Sequence, residues 1–427
     1  MASNETPTTA PSTHEWSGTT SDEQQPRLPI RLVIGLAIGA FCWIVAYLGA
    51  VGVLLPARIA EIAPADKAAV VALNSTISMI VAAIANILIG AGSDLTRSRF
   101  GRRTPWIWAG AVGSLLSLTV LGHVQSVPAL VTTWAVYQVF LNSIIAPLLG
   151  TLSDRVSPQF RGTAASGYAL GNGLGTGLGQ VIGAQFLGNT ATGLLVLGGL
   201  TVLVAPATSW FFRESSSVDM PKRPFTKDMV LDHFVFARHN ARDYYLALLG
   251  KFFVILAKFA IQGYVLYILT DYMLLGEDDS SRYISIISLI IMVAGIVMAF
   301  VAGPVADRLK LIKLPVIVSS LLIAVGVLVP FFSATPMMMV LYAVIAGTGL
   351  GMFNAVDQAL NIAVLPDPDT AAKDLGILNL ANTGGQIAGP LVAAAAISAF
   401  GYHMLFVVAS AAALVATLLF ALIRSIR

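Results

Sequence analysis

A chain of 427 residues that is 56% hydrophobic and only 11% charged, with a mean hydropathy of +0.81, lies outside the composition of water-soluble globular domains. Its net charge of +3 gives no reason to expect nucleic acid as a partner, and its single cysteine, Cys42, excludes an internal disulfide. Lipid is the expected solvent, because a bilayer core about 30 Å thick needs roughly 20 apolar residues for each helical crossing.

Residues 1–28 are rich in Ser, Thr, Glu and Gln and lack a basic, cleavable leader, so they read as a disordered tail. Apolar runs follow at 32–55, 68–92, 105–121, 128–149, 163–187 and 192–212, which makes 29–212 a first six-helix bundle. The polar stretch 213–243 carries Arg213, Lys222, Arg223, Lys227, Arg238 and Arg242 and reads as a linker. A second bundle over 244–427 holds runs at 244–269, 284–306, 314–332, 337–364, 376–400 and 402–423. The expected fold class is therefore an all-α membrane protein of twelve transmembrane helices in two related halves. Of 25 Lys and Arg, only Arg58, Lys67 and Arg282 fall in loops on the side away from the termini, and only Lys251 and Lys258 fall inside helices. By the positive-inside rule both termini are expected in the cytoplasm, in a multi-pass protein of the cell membrane.

Three helix ends repeat one pattern. Gly90-x-x-x-Asp94 precedes Arg97, Arg99, Arg102 and Arg103. Gly150-x-x-x-Asp154-Arg155 precedes Arg161, and Gly303-x-x-x-Asp307-Arg308 precedes Lys310 and Lys313. Such recurrence points to nested repeats. Physically, the Gly admits a neighbouring helix, and the Asp accepts hydrogen bonds from a helix N-terminus or an Arg, forming a cytoplasmic latch. Ordinary basic loops obeying the positive-inside rule account for the same residues.

The loop Gly90-Ala-Gly-Ser-Asp94-Leu-Thr-Arg97-Ser-Arg99-Phe-Gly101-Arg102-Arg103-Thr-Pro105-Trp106 resembles the signature loop of the major facilitator superfamily. Its Ser-Asp-x-Thr-x-Ser-Arg-Phe-Gly-Arg-Arg-x-Pro-Trp form is similar to the branch of sucrose–proton symporters and glycoside-pentoside-hexuronide cation symporters. Asp243-Tyr-Tyr-Leu-Ala-Leu-Leu-Gly-Lys251-Phe, Val356-Asp357-Gln358-Ala359-Leu360 and Leu365-Pro366-Asp367 also resemble that branch. The chain departs from the pattern at Leu95, where a basic residue is usual, at Lys251, where Arg is expected, and in having no Arg within helix five.

Ionisable residues inside a membrane are costly, so Lys251, Lys258 and Asp357 are functional candidates. The resemblance implies that helices one, four, seven and ten line a central cavity, which would place all three charges on the transport path. Lys251 and Asp357 lie at comparable depths, so they are expected to pair, either as a static link or as a proton-coupled exchange. Lys258 and Gln262 follow on the same helix face. Gln138 and Asn142 on helix four and Asn354, Gln358 and Asn361 on helix ten are candidate hydrogen-bonding groups for a polar solute. Trp43 and Tyr47 on helix one are candidate faces for a sugar ring. Interhelical hydrogen bonds and core packing would use the same residues.

Helix five carries a four-residue stripe, Gly167, Gly171, Gly175, Gly179 and Gly183, which is expected to meet Gly295, Ala299 and Gly303 of helix eight where the halves rock. Asn74-Ser75-Thr76 matches a glycosylation acceptor but lies within helix two, and the alternating glycines after Gly171 lack the strand and Lys-Ser/Thr of a phosphate loop. With no metal cluster, nucleophile elbow or ATP-binding motif, neither an enzyme nor a cofactor is expected. The expectation is a secondary active carrier moving a small polar solute, a sugar or glycoside with protons, by alternating access. A facilitator or exporter of another organic solute, such as an organic anion, and a non-transporting receptor or scaffold stand as alternatives. Oligomeric state is left open.

Overall fold

The computed structural model describes residues 20–218, 241–309, 312–365 and 371–424. Their helices form twelve segments in chain order. In the first half these are α1 (Ile30–Ile62), α2 (Lys67–Leu95), α3 (Thr104–Leu121), α4 (Val127–Arg155), α5 (Arg161–Ala184) and α6 (Leu187–Phe212). The second half contains α7 (Arg242–Gln262), α8 (Glu277–Leu309), α9 (Lys313–Phe332), α10 (Pro336–Ala363), α11 (Ala371–Phe400) and α12 (Tyr402–Ala421). No strand occurs among the described residues. All except α5 contain a window long and apolar enough to cross a membrane. Helix α5 is the glycine-rich one, and its weak hydropathy is compensated by packing along α1 and α8.

Two irregular turns separate the observed helices from the apolar runs. The run ending at Leu55 continues as helix to Ile62, passing Pro56 through a π turn at Ala50–Leu54. That wide turn leaves room for a ring that has no N–H to donate and that would crowd the carbonyl one turn back. In the second half the helix expected through Leu269 ends at Gln262, where Gly263 breaks it, and a short turn at Val265–Tyr267 and a π turn at Ile268–Tyr272 follow. Interruptions at matching positions of two repeats are a recurrent mark of a carrier's binding level.

The glycine stripe of α5 does not form the contact between halves. A Cβ at Gly171 would lie 2.0 Å from the Ala37 carbonyl oxygen, one at Gly179 2.3 Å from that of Val45, and one at Gly183 2.7 Å from that of Gly49. Gly167 and Gly175 likewise face Val33 and Phe41–Ile44, so the whole stripe presses on α1 within the first half. The contact across the halves uses the next face, where Gly177 meets Met292 of α8 and Gln180 accepts from the Ser288 hydroxyl at 2.8 Å. Gly295 packs under Gly351 of α10, again within its own half. A period of four residues keeps one helix face aligned with a single neighbour, and that neighbour is α1. Gly385 and Gly389 of α11 repeat the arrangement against α7. The side chains of residues 303–307, including the Gly303–Asp307 pattern, lie outside the described residues.

Direct links between the halves cluster at the end of the molecule away from the termini. There Lys67 pairs with Asp271 at 2.6 Å, the Tyr267 hydroxyl donates to the Pro56 carbonyl at 2.8 Å, and the Tyr264 hydroxyl shares its proton between the Ala68 carbonyl at 2.9 Å and the Pro390 carbonyl of its own half at 3.0 Å. Ser281 donates to the Ala184 carbonyl at 2.7 Å. At the terminal end, the side-chain bonds among the described residues join elements of one half to each other.

Candidate functional site

Within the second half, α7 and α10 are joined by a buried ion pair. Lys251 Nζ donates to Asp357 Oδ2 at 2.7 Å, with Lys251 2% and Asp357 9% exposed. Asn361, one turn along α10, donates to the same oxygen at 3.2 Å, and Oδ1 has no partner. The carboxylate thus keeps one oxygen available beside a cation held out of water. Lys258, two turns deeper on α7, has no carboxylate within 4 Å among the described residues and lies over the Phe259 ring at 5.2 Å. Asn354 and Gln358 form an exposed amide pair one turn apart on α10.

A cavity opens further from the terminal end, between α1, α2 and α4 of one half and α7 and α11 of the other. Its wall includes Tyr47, Gly52, Pro56, Asn74, Ser75, Ser78, Trp134 and Gln138, closed by Phe259, Gln262, Gly263, Gln386 and Pro390. The irregular turns of α1 and α7 both border it. It holds about 50 Å³, room for roughly three to five waters at 10–15 Å³ each. Tyr47 stacks on Trp134 with centroids 6.3 Å apart and planes 19° apart, while Trp43 lies behind Tyr47 and Tyr137 behind Trp134.

Two buried amides in this wall are incompletely bonded. Asn74 and Gln138 are each 2% exposed, and neither Asn74 Oδ1 nor Gln138 Nε2 has a partner within 3.5 Å, although Gln138 lies beside the Tyr47 hydroxyl of the same wall. Leaving a buried polar atom unpaired costs about 1–3 kcal/mol, so both amides are candidate ligand-binding groups of this wall. Of the expected solute-facing groups, Tyr47, Gln138 and Gln262 line the cavity. Asn142 instead accepts from Asn86 at 3.1 Å and donates to the Gln138 carbonyl at 2.8 Å. Helix α10 contributes nothing to this wall, whereas α2 and α11 do, because the cavity lies beyond the level of Asp357, where those two helices cross between halves. Asn74, Ser75, Ser78 and Gln386 escaped sequence reading. The signal was present in Asn74-Ser75-x-x-Ser78, a polar stripe in an apolar run of α2.

The terminal end of the first half holds a separate charged cluster. Arg103 reaches Asp94 at 2.5 Å and Asp154 at 2.7 Å, and Arg102 pairs with Asp154. A Cβ at Gly150 would lie 2.5 Å from the Arg103 guanidinium carbon, so this glycine admits an arginine rather than a helix, and nothing approaches Gly90 within 4 Å. Glu214, unrecognised in the sequence because it follows α6 in the linker, accepts the backbone N–H groups of Arg102, Arg103 and Thr104 at 2.9–3.1 Å. It neutralises the donors at the start of α3. Gly101, at φ +91°, makes room for that carboxylate, since a Cβ would lie 2.3 Å from it. Arg155 offers its carbonyl to Gln25, and Arg161 donates to the Val156 and Ser153 carbonyls, so both hold the α4–α5 turn. Residues 20–25, read as part of a disordered tail, dock on that turn through Thr20 and Gln25. Arg97 and Arg308 form no carboxylate pair among the described residues, and Arg99 lies over Phe100.

The family model of the Major Facilitator Superfamily matches residues 32–310 and 247–427, and the chain belongs to that superfamily. No curated protein matches it. Among solved structures, the nucleoside transporter NupG superposes with a TM-score of 0.71 at 14% identity over 93% of this chain and 100% of its own. A POT family transporter in complex with 5-aminolevulinic acid gives 0.70 at 14% identity, over 90% and 94%. The human organic anion transporter MFSD10 gives 0.64 at 16% identity, over 92% and 99%. At these identities the likeness is one of fold. The chain is thus a multi-pass membrane transporter of small solutes, with two halves around a central path.

Proposed function

We propose that this transporter is a secondary active carrier that moves a small polar solute, a sugar or glycoside, together with protons, by alternating access. The carrying observation is the division of labour between two levels of the path. An amide- and aromatic-lined cavity spans both halves, and below it a buried Lys251–Asp357 pair retains an unpartnered carboxylate oxygen. A proton arriving on Asp357 would remove the charge that holds Lys251, loosening α7 from α10. Because α7 also contributes Phe259, Gln262 and Gly263 to the cavity, that release is felt at the solute. Links between halves at the far end match a path closed there and reached from the terminal end, which is cytoplasmic in the expected orientation.

Uptake in proteoliposomes with and without an imposed pH gradient tests this reading. Wild-type protein should accumulate the solute only with the gradient, whereas Asp357→Asn should exchange solute without accumulating it. Accumulation that ignores both the gradient and Asp357→Asn would sink the coupling. A second reading, an organic-anion carrier, is favoured by Lys258, a cation near the path with no carboxylate partner among the described residues.

A further inference from the structure

We infer that the cavity is a seat for an uncharged, hydroxyl-bearing solute, read by Asn74 and Gln138, and that it excludes carboxylates by offering them no cation. This rests on the carrier reading above and names the residues that would select its substrate. Every residue in the cavity wall is formally uncharged at neutral pH. Lys251 precedes Gln262 by eleven residues of α7, about 16 Å at 1.5 Å per residue, and its ammonium is already held by Asp357. Lys258 is one turn short of Gln262 and is not part of the wall.

Asn74 and Gln138 come from different helices and present an unpaired acceptor and an unpaired donor, both deeply buried. Hydroxyl groups of a solute can satisfy both, because a hydroxyl donates one hydrogen bond and accepts others, whereas a carboxylate only accepts. It would repel Asn74 Oδ1 and lose its hydration without gaining a counter-charge. Gln386 of α11 and Gln262 of α7 supply matching amides from the second half. The stacked Tyr47 and Trp134 rings provide an apolar face beside these donors and acceptors. Selection against charge then follows from what the wall lacks, with Lys251 and Lys258 both nearer the terminal end of α7 and outside the wall.

The test is equilibrium binding to purified full-length protein, without a proton gradient, so its outcome is independent of coupling. Thermal stabilisation is measured with sucrose, methyl glucoside and, as the charged counterpart, glucuronate, for wild type, Asn74→Leu, Gln138→Leu and Lys258→Gln. Wild type should be stabilised by at least one neutral probe and bind glucuronate at least tenfold more weakly. Asn74→Leu and Gln138→Leu should each weaken neutral binding tenfold or more. Their melting temperatures without ligand should stay the same or rise, because each removes an unsatisfied buried group. A fall in the ligand-free melting temperature would mark these amides as structural and overturn the assignment. So would tighter binding of glucuronate that is lost in Lys258→Gln, which would hand the site to an anion. Neutral binding that persists while gradient-driven uptake fails would leave the seat intact and reject only the proton coupling.

Discussion

The two ends of the molecule are built differently. At the far end the halves are stitched to each other by Lys67–Asp271, Tyr267–Pro56, Tyr264–Ala68 and Ser281–Ala184. At the terminal end each half is braced internally, by Arg103 between Asp94 and Asp154 in the first and by Lys251–Asp357 and Tyr244–Asp374 in the second. Bonds within a half survive a rocking motion, whereas bonds between halves must break. The far end is therefore where the described side chains tie the halves together, and under the proposed alternating access it would act as the closed gate, while the terminal-end pairs join helices of a single half.

That contrast is most exposed to failure at Asp357. Replacing it with Asn leaves the Lys251 ammonium buried without its counter-ion, a loss of about 3–5 kcal/mol. The thermal midpoint of Asp357→Asn should fall sharply, and Asp357→Leu combined with Lys251→Met should recover most of it. Failure of the double variant to recover would mean that the lost stability is not that of the unpaired buried ammonium. Next in size, Gly171→Ala would drive a methyl against the Ala37 carbonyl at 2.0 Å and should destabilise the first half by about 1–3 kcal/mol. Gly173→Ala, which meets nothing within 4 Å, should be neutral. Equal effects of the two would contradict the placement of the stripe against α1.

Asp271→Asn should weaken the far-end gate by about 1–2 kcal/mol, as befits a partly exposed charged pair. Alkylation of Ser78→Cys in a Cys42→Ser background, by a membrane-impermeant maleimide added on the far side, should then accelerate roughly five- to thirty-fold. An unchanged rate would show that the remaining hydrogen bonds of Tyr264, Tyr267 and Ser281 suffice to close that end. The smallest effect is expected at Glu214→Ala, where three backbone donors of α3 lose their acceptor at a cost of about 0.5–2 kcal/mol. It should lower the thermal midpoint without changing far-side alkylation.

Much of the fold was legible because lipid leaves little choice. Apolar runs about 20 residues long, separated by polar loops, mark helices whatever those helices touch. The pairing of Lys251 with Asp357 was also expected, since two opposite charges at matched depth in an apolar medium have few better options. Contacts were harder to read. A glycine stripe announces close packing but not the neighbour, and the neighbour proved to be α1 within the same half. The Gly150-x-x-x-Asp154 pattern announced a close approach but not that an arginine from the α2–α3 loop would make it.

Composition and periodicity alone settled the solvent, the helical class and the division into halves, because these follow from transfer free energies that each segment carries by itself. Tertiary structure decided where the cavity wall lies. Asn74 looked like a stray polar residue in α2, and only the meeting of α2, α4, α7 and α11 shows its amide unpaired beside Gln138. Whether a hydrogen-bonding group is satisfied depends on what every neighbouring helix brings to it, and no single segment contains that information.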